Sequence, residues 1–60
     1  MFEITYQNIE EGIVVVEDID FGLRFEFKEP GFTQAKVVDD YDLDLHFEDG
    51  TIKKVPILQR

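Results

Sequence analysis

The sequence predicts an all-β fold, a small antiparallel meander or open barrel of five to six short strands with at most one helical turn. Three observations lead there. Apolar and polar residues alternate with a period of two over most of the chain, which is the pattern of half-buried strands. The four glycines stand singly at positions 12, 22, 31 and 50, each closing a short stretch that carries Asp, Glu or Pro, the residues that favour turns. No segment sets apolar residues at helical spacing between capping residues.

The elements follow in order. Phe2, Ile4 and Tyr6 alternate with Glu3, Thr5 and Gln7, so a first strand is expected near residues 2–8, and Glu10, Glu11 and Gly12 make a turn. Ile13–Val16 is apolar at every position, which predicts a central strand or one covered on both faces. Asp18, Asp20 and Gly22 mark the next turn, after which Leu23, Phe25 and Phe27 alternate cleanly with Arg24, Glu26 and Lys28. Glu29-Pro30-Gly31 breaks the strand, with Pro30 suited to the first corner of a turn and Gly31 to a positive φ. Residues 32–36 have room for one helical turn, and Ala35–Val38 reads as a weaker strand ended by Asp39-Asp40.

Tyr41, Leu43, Leu45 and Phe47 then alternate with Asp42, Asp44, His46 and Glu48, and Asp49-Gly50 signals a hairpin. A final strand is expected from about Thr51 to Ile57, with Pro56 placing it at an edge or near its end. The register of this hairpin can be chosen. A two-residue loop sets Leu45 across from Lys54 and mixes the faces. A three-residue loop with Gly50 as a left-handed bulge residue sets Leu43 across from Val55, Tyr41 across from Ile57, and Asp44 across from Lys54. The second phasing matches apolar to apolar and acid to base, and it is preferred.

Sixty residues make a single domain. A chain this short buries only about 60% of its unfolded surface. It has no cysteine and only one histidine, so neither a disulfide nor a Cys/His metal cluster can reinforce it. A hydrophobic share of 43% with six Phe and two Tyr is nonetheless too rich for a disordered chain. The core is therefore marginal, and self-association, which enlarges it, is expected. The start of the chain has neither a basic segment nor a long apolar one, which predicts a cytoplasmic protein.

The net charge is −8. Phosphate backbones and anionic membranes both select clustered Lys and Arg, so no direct nucleic-acid partner and no membrane partner are expected. A charged partner should be basic. Residues 1–23 hold six acids and no base, whereas residues 51–60 hold Lys53, Lys54 and Arg60 and no acid. An edge strand there is either guarded by its lysines or meets an acidic face of a second copy.

Six acids crowd residues 39–49: Asp39, Asp40, Asp42, Asp44, Glu48 and Asp49. The spacing Asp40-x-Asp42-x-Asp44 opens as a calcium-binding EF-hand loop does, but Leu45 stands where that loop needs glycine. The interleaved Tyr41, Leu43 and Leu45 make it a strand face instead. Alternate residues on one strand face lie about 6.6 Å apart, so Asp42, Asp44 and Asp40 form a row of negative charge, either a solvated face or a surface for a basic partner. The candidate partner-binding residues are Asp40, Asp42, Asp44, Lys53 and Lys54. His46 lies on the polar face of its strand without a nearby nucleophile, and Phe25, Phe27, Tyr41 and Phe47 belong to the core rather than to a base-stacking platform, which comes with a positive groove. No catalytic residue, cofactor or metal site is expected.

The run from Lys36 through Val37-Val38-Asp39-Asp40-Tyr41-Asp42-Leu43-Asp44-Leu45-His46-Phe47-Glu48-Asp49-Gly50, and on through Thr51 to Ile57, resembles the bacterial domain-of-unknown-function family numbered 2442. Members show a basic-valine strand, a short turn with Asp-Tyr, a Leu-x-Leu-x-Phe strand, Glu-Asp-Gly and a strand ending in an apolar pair. In that family the hairpin usually comes first, whereas here it follows a strand-rich half. The resemblance implies a small bacterial β-rich domain without known catalytic activity and transfers no functional residue. The chain is expected to be a small non-enzymatic bacterial or phage-associated protein-interaction domain, with a protein partner or a homodimer. The alternative is an acidic inhibitor that mimics nucleic acid and blocks a basic nucleic-acid-binding enzyme.

Overall fold

A computed structural model describes residues 1–39 and 41–57. It holds six strands and, among the described residues, no helix: β1 Phe2–Asn8, β2 Ile13–Asp18, β3 Leu23–Lys28, β4 Phe32–Val37, β5 Asp42–Phe47 and β6 Ile52–Pro56. They form two three-stranded antiparallel meanders, β1-β2-β3 and β4-β5-β6. The barrel does not close. The two sheets instead press their apolar faces together around one core of Phe2, Val14 and Val16 from the first and Phe32, Leu43, Leu45 and Ile57 from the second, with Ile4, Phe25, Phe27, Ala35, Val37, Phe47 and Val55 packed around it. Phe2 and Phe25 meet edge to face at 6.1 Å, a geometry aromatic pairs favour.

The central strands bear out the alternation. β2 and β5 each carry a neighbour on both sides, and Leu43 and Leu45 are completely buried. Val15 points away from the second sheet, between Tyr6 of β1 and Glu26 of β3 in the ladder, and is still only 2% exposed. The uninterrupted apolar run Ile13–Val16 thus reports a strand covered on both faces. The β5–β6 register is the three-residue phasing, with Leu43 opposite Val55 and Asp44 opposite Lys54. Gly50 has φ 90°, and the loop closes by Phe47 N–H donating to Thr51 O at 2.9 Å and Gly50 N–H to Phe47 O at 3.0 Å. Ile57 N–H donates to Tyr41 O at 2.7 Å, one step further along the same ladder.

Three expectations need correction. The alternation of Phe2, Ile4 and Tyr6 does not continue on one face: the ladder shifts between Ile4, opposite Val16, and Tyr6, opposite Val15. The bulge turns Tyr6 outward over Val15, where it is exposed. The fourth strand begins at Phe32 rather than Ala35, and its shift between Phe32 and Gln34 masks the period of two in the sequence. Phe32 enters the core and leaves no room for a helical turn. Tyr41 precedes β5 and is exposed, so it does not join Phe25, Phe27 and Phe47 at the core.

Candidate functional site

The acid-rich segment divides into two kinds of carboxylate. Asp39 and Asp49 build turns. Asp39 Oδ1 accepts the N–H of Tyr41 at 2.8 Å and of Asp42 at 2.9 Å, folding the connection into β5. Asp49 Oδ1 accepts the Thr51 hydroxyl at 2.7 Å and the Thr51 N–H at 3.0 Å in the last hairpin. Hydrogen bonds to a carboxylate favour its charged form. The Tyr41 N–H, ahead of that of Asp42, holds Asp39 below the usual aspartate value, and the Thr51 hydroxyl, ahead of its N–H, does the same for Asp49.

Asp42 and Asp44 lie on the outer face of the second sheet, as a row. The row is not bare. Lys54, opposite Asp44 on β6, brings Nζ within 4.0 Å of both Asp42 Oδ2 and Asp44 Oδ1, and Lys36 on β4 is the other cross-strand neighbour of Asp44. The base thus offsets the acids within the chain. His46 shares this face, between Gln34 and Ile52. Asp40 lies outside the described residues, as does Arg60. Lys53 takes a different place: it stands opposite Leu45, on the inner side of β6, and its Nζ reaches Glu29 Oε1 at 2.9 Å, tying β6 to the end of β3. Of the five candidate partner-binding residues, the structure therefore groups Asp42, Asp44 and Lys54 and separates Lys53 from them.

A second group of exposed side chains lies in and beside the turn between β2 and β3. Ile19 and Phe21 occupy the β2–β3 turn and Leu23 begins β3, and they are 64%, 78% and 42% exposed. Asp18 and Asp20 flank them. Asp18 is buried, and its Oδ1 accepts the Asp20 N–H at 3.0 Å, while Glu3 pairs with Glu17 on the adjoining strands. A depression beside the turn is lined by Met1, Glu3, Ile19 and Asp20. A signal for this tip was present in the sequence: a turn usually carries polar residues, and this one carries Ile19 and Phe21 beside Asp18 and Asp20.

Among the described residues no group of three or more His, Cys, Asp or Glu side chains could hold a metal ion, and no helix is long and apolar enough to cross a membrane. In comparisons with protein-family models, curated proteins and solved structures, the chain matches none.

Proposed function

We propose that the chain is a non-enzymatic protein-interaction domain that associates with a second copy of itself. One observation carries this reading: Ile19, Phe21 and Leu23, three apolar residues within five positions at the β2–β3 turn, are all exposed, Phe21 to 78%, in a domain whose own core is small. An exposed apolar patch rimmed by polar groups is characteristic of an association surface, and a second copy supplies the burial a chain of this length lacks. The row of Asp42 and Asp44, which motivated the nucleic-acid mimic, is shared with Lys54, and this favours association over mimicry. Sedimentation equilibrium tests the reading. The chain is expected to exceed its monomer mass of 7.1 kDa at submillimolar concentration, and Phe21→Ser to shift it toward monomer. A purely monomeric chain overturns the proposal.

A further inference from the structure

Among the described residues the two sheets have four edges: β1 and β3 in one sheet, β4 and β6 in the other. An edge offers unpaired N–H and C=O groups to any strand that fits, and bulges, proline or charge are the devices that blunt it. Three of these edges carry such a device. β1 and β4 each have a register shift, between Ile4 and Tyr6 and between Phe32 and Gln34, and the two strands also lie against one another where the sheets meet. On β6, the Ile57–Tyr41 backbone bond fixes the phase of the ladder, so Ile52, Lys54 and Pro56 present their backbone outward, and Pro56 has no N–H to give.

β3 carries neither a bulge nor a proline, and the charges on its open side, Arg24, Glu26 and Lys28, alternate in sign, so a strand of complementary charge can still pair with it. Its pairing with β2 is unbroken from Lys28 opposite Ile13 to Leu23 opposite Asp18, and it contains no proline. One bond sets its phase: Glu29 N–H donates to Gly12 O at 2.7 Å, one step past the Ile13–Lys28 pair. Bonded and non-bonded pairs alternate along an antiparallel ladder. Leu23, Phe25 and Phe27 therefore bond to β2, and Arg24, Glu26 and Lys28 turn their N–H and C=O groups to the open side. All three are exposed.

We propose that the β3 edge pairs with β3 of a second copy, antiparallel about a twofold axis at Phe25, in the register that sets Arg24 opposite Glu26 of that copy. This rests on the self-association reading and takes in Leu23 of its apolar surface, with Phe21 and Ile19 just beyond the two ends of the seam. Backbone phase permits only registers that place even-numbered residues opposite one another. Centring on Glu26 would set Glu26 against Glu26 and Arg24 against Lys28, and centring on Arg24 would set Arg24 against itself, all like-charge pairs that oppose association. Centring on Phe27 would pair Glu26 with Lys28, but it sets Phe25 against Glu29 and leaves only the last three residues of β3 in the seam. Centring on Phe25 gives two Arg24–Glu26 ion pairs on the outer face. On the inner face it gives Phe25 against Phe25 and Leu23 against Phe27, aromatic and apolar pairs of the stabilising kind. The result is a continuous six-stranded sheet.

The absence of cysteine allows the register to be read by disulfide trapping. Facing residues of an antiparallel pair have Cα atoms about 4.5–5.5 Å apart, within disulfide range. Under mild oxidation, an equimolar mixture of Arg24→Cys and Glu26→Cys chains is expected to give the mixed disulfide dimer in excess of either homodimer. Charge exchange is the second arm. Arg24→Glu should weaken the dimer about tenfold, as two attractive pairs become repulsive, and Arg24→Glu with Glu26→Arg should restore it. Both side chains are exposed, and a circular dichroism spectrum matching the parent shows that each variant folds. A Glu26→Cys homodimer, an Arg24→Cys homodimer, or no trapping from a chain that still sediments as a dimer would overturn this register and leave self-association standing. A monomeric parent chain would remove both.

Discussion

Lys54 stands opposite Asp44 across β5 and β6, with its Nζ 4.0 Å from an Asp44 Oδ1 that is buried and accepts no hydrogen bond. A buried acceptor without a hydrogen bond depends on the nearby charge, because removing that charge leaves the desolvated oxygen uncompensated. Lys54→Ala is expected to cost about 1 kcal/mol of unfolding free energy, tempered by the exposure of the lysine. Asp44→Thr removes the oxygen along with the charge and supplies a strand-favouring residue, so it should be neutral or stabilising. Urea unfolding of both variants is the measurement; a greater cost for Asp44→Thr than for Lys54→Ala would contradict this account.

The glycines at 12 and 22 should respond differently to alanine. Both have positive φ, 72° and 69°, which costs a side chain about 1–2 kcal/mol. A Cβ at Gly12 would lie 2.7 Å from Pro30 Cα and 2.9 Å from Pro30 N, whereas at Gly22 nothing lies within 4 Å. Pro30 is backbone held by the Glu29–Gly12 bond and cannot move aside alone. Gly12→Ala is expected to destabilise by more than about 2 kcal/mol and Gly22→Ala by about 1 kcal/mol, read from their denaturation midpoints.

Acid should loosen the two Asp-built turns. Asp39 is held below the ordinary value of 3.8 chiefly by the Tyr41 N–H, and Asp49 chiefly by the Thr51 hydroxyl. A group whose folded pKa is lowered contributes stability that is present above its unfolded pKa and is lost as pH falls through the folded one. The contribution of both turns is therefore complete at neutral pH and declines below about pH 3.8. Asp39→Asn with Asp49→Asn keeps an acceptor at each turn but no titrating group. Its urea midpoint should fall less than the parent's between neutral pH and about pH 3.

The core has little reserve. Leu45 is fully buried between the sheets, and Leu→Ala at such sites costs about 2–5 kcal/mol, a large share of the stability expected of a domain near the lower size limit. Leu45→Ala should be largely unfolded at 37 °C by circular dichroism. Leu45→Met, which conserves volume, should remain folded with a loss below about 1.5 kcal/mol.

The elements legible in the residues are those governed by local chemistry. Leu23, Phe25 and Phe27 alternate without interruption, and β3 runs over that stretch. Asp49-Gly50 and the pairing of Asp44 with Lys54 selected the last register, because a turn type and its cross-strand neighbours lie within a few residues of each other. The two bulges were not legible. Thr5 and Thr33 carry no glycine or proline to mark them, and a bulge arises from how a strand must bend over its neighbours.

From its sequence alone this chain is all-β, acidic and marginal in its core, with strand order along the chain and the final hairpin phase already determined, since period-two patterning and turn residues act over short range. Only the tertiary structure decided that two meanders share one core, that Tyr6 faces away from it, that Lys53 reaches Glu29 while Lys54 stays with Asp42 and Asp44, and that β3 keeps the one edge without bulge or proline. Those outcomes depend on distances between residues far apart in the chain, which packing sets and local propensity does not.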